Sequence, residues 1–144
     1  MATNQRFMPI PPEAVWDALA DPGGYGYWVP GSRVIRDADA HWPAPGAKFH
    51  HTVGAGPFEV SDHTESLEAR PSELLRMRTK GRPLGTATVT LELVRRDSGT
   101  LVRMSETADG PGRLLNFTPV FWLLVKARNA ESLMRLEELA ARRA

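Results

Sequence analysis

The chain has 144 residues, 42% of them apolar and 24% charged, and a formal net charge of +1 from 18 Lys and Arg against 17 Asp and Glu. These are the proportions of one ordinary globular domain, residues 1–144, large enough to bury a core and carrying no basic patch or like-charge run that would draw a nucleic acid. The absence of cysteine excludes disulfide frameworks, thiolate zinc sites and cysteine nucleophiles. The opening residues, Met1-Ala2-Thr3-Asn4-Gln5-Arg6, contain no apolar run of signal-peptide kind, and the longest apolar run, residues 120–125, is too short to span a bilayer. The expectation is a cytoplasmic protein without membrane insertion.

In chain order, residues 3–10 read as a first strand, ended by Pro9, Pro11 and Pro12, which cannot donate to a ladder. Pro12-Glu13 opens a helix with Ala14, Val15, Ala18 and Leu19 on its apolar face, and Asp21-Pro22-Gly23-Gly24 breaks it. The next stretch, Tyr25-Gly26-Tyr27-Trp28, predicts a second short helix. It either plugs one end of the core or sets Tyr25 or Trp28 at the mouth of a pocket. Extended segments are expected at 32–37, 48–53, 58–67, 74–79, 85–94 and 100–107. Between them lie the Pro-rich loop Trp42-Pro43-Ala44-Pro45-Gly46 and turns at Gly54-Ala55-Gly56-Pro57, Pro71-Ser72, Gly81-Arg82-Pro83 and Asp97-Ser98-Gly99. Strands in direct succession predict an antiparallel meander rather than βαβ units.

The last element is a long helix over residues 118–143, with Thr118 as N-cap, Pro119 in the first turn and no later Pro or Gly. Residues 120–125 are apolar on every side, which predicts cover all round. The second half has one apolar stripe, on which Trp122, Val125, Leu133, Leu136 and Ala140 share a face with Asn129 in their midst, and this stripe is expected to lie along the sheet.

Period-two alternation assigns faces to the two clearest hairpins. A symmetric reversal at residues 54–57 sets Val53 opposite Phe58, His51 opposite Val60 and Phe49 opposite Asp62. Phe49, His51, Val60, Asp62 and Thr64 then share the apolar face, with His51 and Asp62 diagonal neighbours within reach of a hydrogen bond. About residues 96–99 the same exercise pairs Leu93 with Val102, Leu91 with Met104 and Val89 with Glu106.

The order strand, two short helices, six strands and long helix resembles the helix-grip fold of the START-like, birch-pollen-allergen-like superfamily. More specific are Ile10-Pro11-Pro12-Glu13-Ala14-Val15-Trp16, Trp28-Val29-Pro30-Gly31-Ser32, Phe49-His50-His51-Thr52-Val53-Gly54, Gly56-Pro57, Pro83-Leu84-Gly85-Thr86-Ala87 and Ala127-Arg128-Asn129-Ala130-Glu131-Ser132-Leu133. These stretches resemble the polyketide cyclase/dehydrase-like subgroup of the SRPBCC proteins, over nearly the whole chain. The resemblance implies an α+β fold in which a seven-stranded curved antiparallel sheet wraps around the C-terminal helix, with an apolar cavity between them. It does not imply one reaction, since similar proteins include lipid and sterol carriers, quinone-binding proteins, aromatase/cyclases and co-chaperone-like modules.

Within such a cavity the leading reading is a site for a small hydrophobic or aromatic molecule, lipid- or polyketide-like. Tyr25, Trp28, Phe49, Val60, Leu91, Met104, Trp122 and Val125 would line it, and Asn129, His51, Asp62 and Glu106 would supply polar contacts. The alternative is a cofactor-independent cyclase or dehydratase, with His51 oriented by Asp62 as a base and Glu106 as the second acid/base group. Competing structural readings pair His51 with Asp62 and Glu106 with Arg128 for satisfaction alone, and give Asn129 a bond to a neighbouring group. A third reading is an interaction module with a filled core. His50, His51 and His63 cluster on one hairpin, but the register turns His50 and His63 away from His51, so no metal site is expected. Neither a cofactor motif nor a nucleophile elbow occurs, and homodimer formation is left open.

Overall fold

The structure, a computed structural model, describes residues 2–29, 32–53, 60–81, 85–109 and 119–144, with the backbone alone described at 32–36, 51–53, 60–62, 81 and 85. Alternation of apolar and polar residues commits most of the chain to seven strands: β1 (Ala2–Met8), β2 (Ser32–Ala38), β3 (Lys48–Val53), β4 (Val60–Arg70), β5 (Leu74–Gly81), β6 (Gly85–Arg96) and β7 (Gly99–Asp109). They form one curved antiparallel sheet in the order β1-β7-β6-β5-β4-β3-β2. β2 to β7 are a meander, and β1 returns to pair with β7, so the first two strands occupy opposite edges. Register shifts at Ser32/Val34 and Ile35/Asp37 in β2, and at Ser66/Glu68 in β4, are bulges that bend the sheet toward a concave interior.

The link between the two edge strands carries α1 (Pro12–Leu19), a 3-10 turn (Pro22–Gly24) capped by Asp21 Oδ1, and α2 (Tyr25–Trp28). Pro12 sits in the first turn of α1, where its missing N–H is harmless. α3 (Pro119–Ala141) closes the fold, packing on β1, α1 and α2. Asn4 Nδ2 donates to the Lys126 carbonyl at 3.0 Å, Arg6 pairs with Glu137 at 2.8 Å, and Arg143 pairs with Asp21 at 2.5 Å. The helix thus lies along the β1 edge and is tied at its far end to the segment between the edge strands. Met8, Val15, Leu19, Leu75, Leu91, Val102, Leu133 and Leu136 form the centre of the core.

The β6–β7 register is the one expected, with Leu93 opposite Val102, Leu91 opposite Met104 and Val89 opposite Glu106. At the β3–β4 hairpin the pairing differs by two residues: Val53 faces Val60, His51 faces Asp62 and Phe49 faces Thr64. A slip of two preserves the face of every residue, which is why the apolar pattern alone cannot detect it. The turn at 54–57 and the Thr118 cap lie outside the described residues.

One expectation about α3 is corrected. Residues 120–125 are not covered all round: Val125 is buried, but Val120 is 65% exposed and Leu123 and Leu124 are each 67% exposed. The helix has only one side turned to the sheet and the short helices, and among the described residues no further layer covers the other. No described helix is long and apolar enough to cross a membrane.

Candidate functional site

The interior between sheet and α3 is organised around two groups of polar and aromatic side chains. The first is aromatic. Tyr25 and Trp28 on α2, Trp42 in the loop before β3 and Phe49 on β3 are all buried. Ring centroids of Tyr25 with Trp28, Tyr25 with Phe49, and Trp42 with Phe49 lie 4.7 Å apart, within the range of favourable tilted and edge contacts. The Tyr25 O–H donates to the Leu19 carbonyl at 2.7 Å, and the Trp42 indole N–H donates to the same oxygen at 3.1 Å. Leu19 ends α1, so its carbonyl has no intrahelical partner, and two aromatic donors satisfy it. Burial pushes the Tyr25 phenol far above the usual range; the Trp42 bond opposes that shift and the Asp21 charge adds to it. The Trp28 indole N–H is buried and has no acceptor among the described residues.

The second group is ionic. Glu106 on β7 is buried on the row continued by Met104 and Val102, and Arg128 on α3 reaches it with bonds of 2.9 and 3.1 Å to its two carboxylate oxygens. Asn129, at 0% exposure on the sheet-facing side of α3, donates through Nδ2 to Glu106 Oε1 at 3.2 Å. Its Oδ1 is buried without a donor among the described residues. A helix residue there would ordinarily be apolar, and the amide is retained although only one of its two ends is used.

The structure therefore brings Glu106 together with Asn129 and Arg128, and Tyr25 with Trp28 and Phe49. Leu91 and Met104 are buried on the adjoining rows of β6 and β7, Val125 is buried on α3, and Trp122 is half-buried one turn earlier. His51 and Asp62 are Cα partners on β3 and β4, two residues along from Phe49 and Thr64, which point into the interior. The side chains of His51, Asp62 and Val60 lie outside the described residues. His50 and His63 face each other across the same hairpin, ring centroids 6.0 Å apart, with His50 exposed. Among the described residues no three His, Cys, Asp or Glu side chains are placed to hold a metal ion. Sequence reasoning missed Trp42. Its signal was a large apolar ring inside a Pro-rich loop, a segment that otherwise has no reason to carry one.

Solved structures with this fold span nearly the whole chain. A Mesorhizobium loti protein, MLL2253, matches at 22% identity with a TM-score of 0.72, covering 99% of this chain and 98% of its own. Ara h 8.0201 matches at 13% identity and a TM-score of 0.70, with coverages of 97% and 96%. The Aha1 dimer from Colwellia psychrerythraea matches at 14% identity and a TM-score of 0.66, with coverages of 95% and 92%. At these identities the likeness is one of fold. No curated protein matches the chain in sequence at a significant level. The family described as polyketide cyclase/dehydrase and lipid transport matches residues 2–141, which include both edge strands, the Glu106–Arg128–Asn129 group and the whole of α3. The chain belongs to that family, within the helix-grip superfamily.

Proposed function

We infer that this protein binds a small hydrophobic or aromatic molecule, of lipid- or polyketide-like character, between the concave face of the sheet and α3. The observation that carries this reading is a set of polar groups buried among apolar side chains. Glu106, Asn129 and the Trp28 indole are buried in an interior that also holds Phe49, Leu91, Met104 and Val125, and the Trp28 N–H, the Asn129 carbonyl oxygen and Asn4 Oδ1 have no partner among the described residues. Apolar walls with a few polar groups among them are the composition of a small-molecule site. Family membership supports the same class of ligand. Tyr25, Val60 and Trp122 complete the proposed lining, with Tyr25 acting through its contact with Trp28.

The enzyme reading is favoured by one feature, the direct opposition of His51 and Asp62 in the register. In it Asp62 orients His51 as the base. Glu106 is less suited to moving protons, because both its oxygens are engaged by Arg128. Native mass spectrometry of the isolated protein tests the binding reading: a discrete mass increment of a small molecule, lost on denaturation, is expected. A bare mass, together with no uptake of neutral apolar fluorophores, would overturn it. His51→Ala separates the two readings: affinity within about threefold of the parent marks a carrier, and turnover reduced by about 10²–10⁴ marks a catalyst.

A further inference from the structure

The long helix α3 is apolar on two opposite sides. Leu133, Leu136 and Ala140 are buried toward the sheet and the short helices. Half a turn round the helix, Val120, Leu123, Ala127, Ala130 and Met134 form a second apolar column, all of them exposed, and Leu124 widens it near its start. Their spacing alternates three and four residues, the a/d repeat of a helix that packs against another helix. Apolar side chains scattered singly over a surface need no partner, but this column runs without a break for about four turns.

The charges beside the column select the partner. Lys126 and Glu131, five residues apart, occupy the g and e positions of the repeat. Two parallel copies of α3 related by a two-fold axis along the helices therefore set Lys126 of each copy against Glu131 of the other. The same alignment stacks each column residue on its own counterpart, and the two alanine layers let the helices approach closely. An antiparallel pair faces like side with like side, so that Lys126 lies across from its own counterpart and not from Glu131. A lipid surface suits the flanks poorly: Glu131, Glu137 and Glu138 border the column, while Arg128 and Arg135 are already held by Glu106 and Glu131.

We propose that the protein associates with a second copy of itself by parallel pairing of α3 along this column, with Lys126 and Glu131 fixing the alignment. The surface involved is on the order of 500 Å² on each copy, the low end for a specific interface, so the dimer is reversible, with a dissociation constant of about 10–100 μM. In the dilute solutions used for unfolding titrations the chain is a monomer, and substitutions on the column leave its stability unchanged.

Sedimentation velocity of the intact chain across that concentration range should show monomer converting to dimer. Leu123→Glu should weaken association about tenfold or more without moving the urea midpoint of the dilute monomer. Lys126→Glu and Glu131→Lys should each weaken it as well, because each sets like charges opposite one another. An equimolar mixture of those two variants should recover the parent's affinity within about threefold, since only the mixed pair has opposite charges on both flanks. The chain has no cysteine, so a single substitution reports the alignment directly. Val120→Cys should give a disulfide-linked dimer under mild oxidation, and Phe7→Cys, at an exposed apolar position on the sheet, should not. The cross-linking result stands by itself if a charge variant fails to fold. A monomer at every concentration overturns the proposal, as does a dimer that Leu123→Glu leaves intact. Absence of recovery in the mixture, or cross-linking of Val120→Cys to Ala130→Cys but not to itself, overturns the parallel alignment. Co-sedimentation of the monomer with phosphatidylcholine vesicles containing phosphatidylserine, lost in Leu123→Glu, would assign the column to a bilayer and overturn the proposal too.

Discussion

Gly99 and Tyr25 each hold a junction that no neighbour can replace. Gly99 opens β7 opposite Arg96 after a two-residue turn in which Asp97 takes a positive φ of 52°. A Cβ built at Gly99 would lie 2.4 Å from the Met8 carbonyl oxygen, a backbone atom of the neighbouring β1 that cannot swing aside. Gly99→Ala must therefore push β1 away from β7, and a loss of about 1–3 kcal/mol in urea unfolding is expected, the usual range for overpacking. At Tyr25 the effect is one of pH. Burial raises its phenol pKa, so the folded state stays protonated where the unfolded chain ionises, from about pH 10. The unfolded state then binds fewer protons, and stability that is complete below about pH 10 falls as pH rises beyond it. Tyr27, whose O–H donates to Glu138, shifts in the same direction but sits at the surface. Tyr25→Phe should flatten most of the alkaline decline, measured as unfolding midpoints across that window. Below it the variant should lose about 0.5–1.5 kcal/mol for the bond to the Leu19 carbonyl.

At the scale of elements, α3 divides into two faces with different duties. Leu133, Leu136 and Ala140 are buried on one side, while Val120, Leu123, Leu124 and Met134 are exposed on the other. Leu136→Ala should cost about 2–5 kcal/mol, as expected for an aliphatic chain removed from a filled core. Leu124→Ser should change stability by no more than about 0.5 kcal/mol, because the side chain already faces water. Equal losses for the two in urea titrations would show that the apolar first half is covered after all, as its composition suggests. The β1 edge is managed by the same helix. Asn4 and Arg6 alternate along β1 toward α3, and their bonds to Lys126 and Glu137 dock the helix along the strand.

For the whole molecule, a ligand that occupies the interior only in the folded state must raise the unfolding free energy by mass action. At a free concentration of 100 times Kd the gain is about 2.7 kcal/mol. A bound apolar molecule should therefore move the urea midpoint upward with concentration, and no movement at saturation would show that the unfolded chain binds it as well as the folded one. Strand count, strand order as a meander, the two short helices, the long last helix and the inward faces of β6 and β7 were all legible in the chain. Each depends on local periodicity and on Pro and Gly punctuation, which act over a few residues. The Glu106–Arg128 contact was legible as a candidate, because an inward acid on β7 needs a partner and α3 offers an arginine. Three features required the assembled fold. The two-residue slide of β3 on β4 leaves every face unchanged and so leaves no trace in the hydrophobic pattern. The recruitment of Trp42 into the aromatic cluster joins a loop to α1, α2 and β3 across segments that only packing brings together. The bare outer side of α3 depends on whether another layer exists to cover it, and an apolar run reads the same with or without that layer.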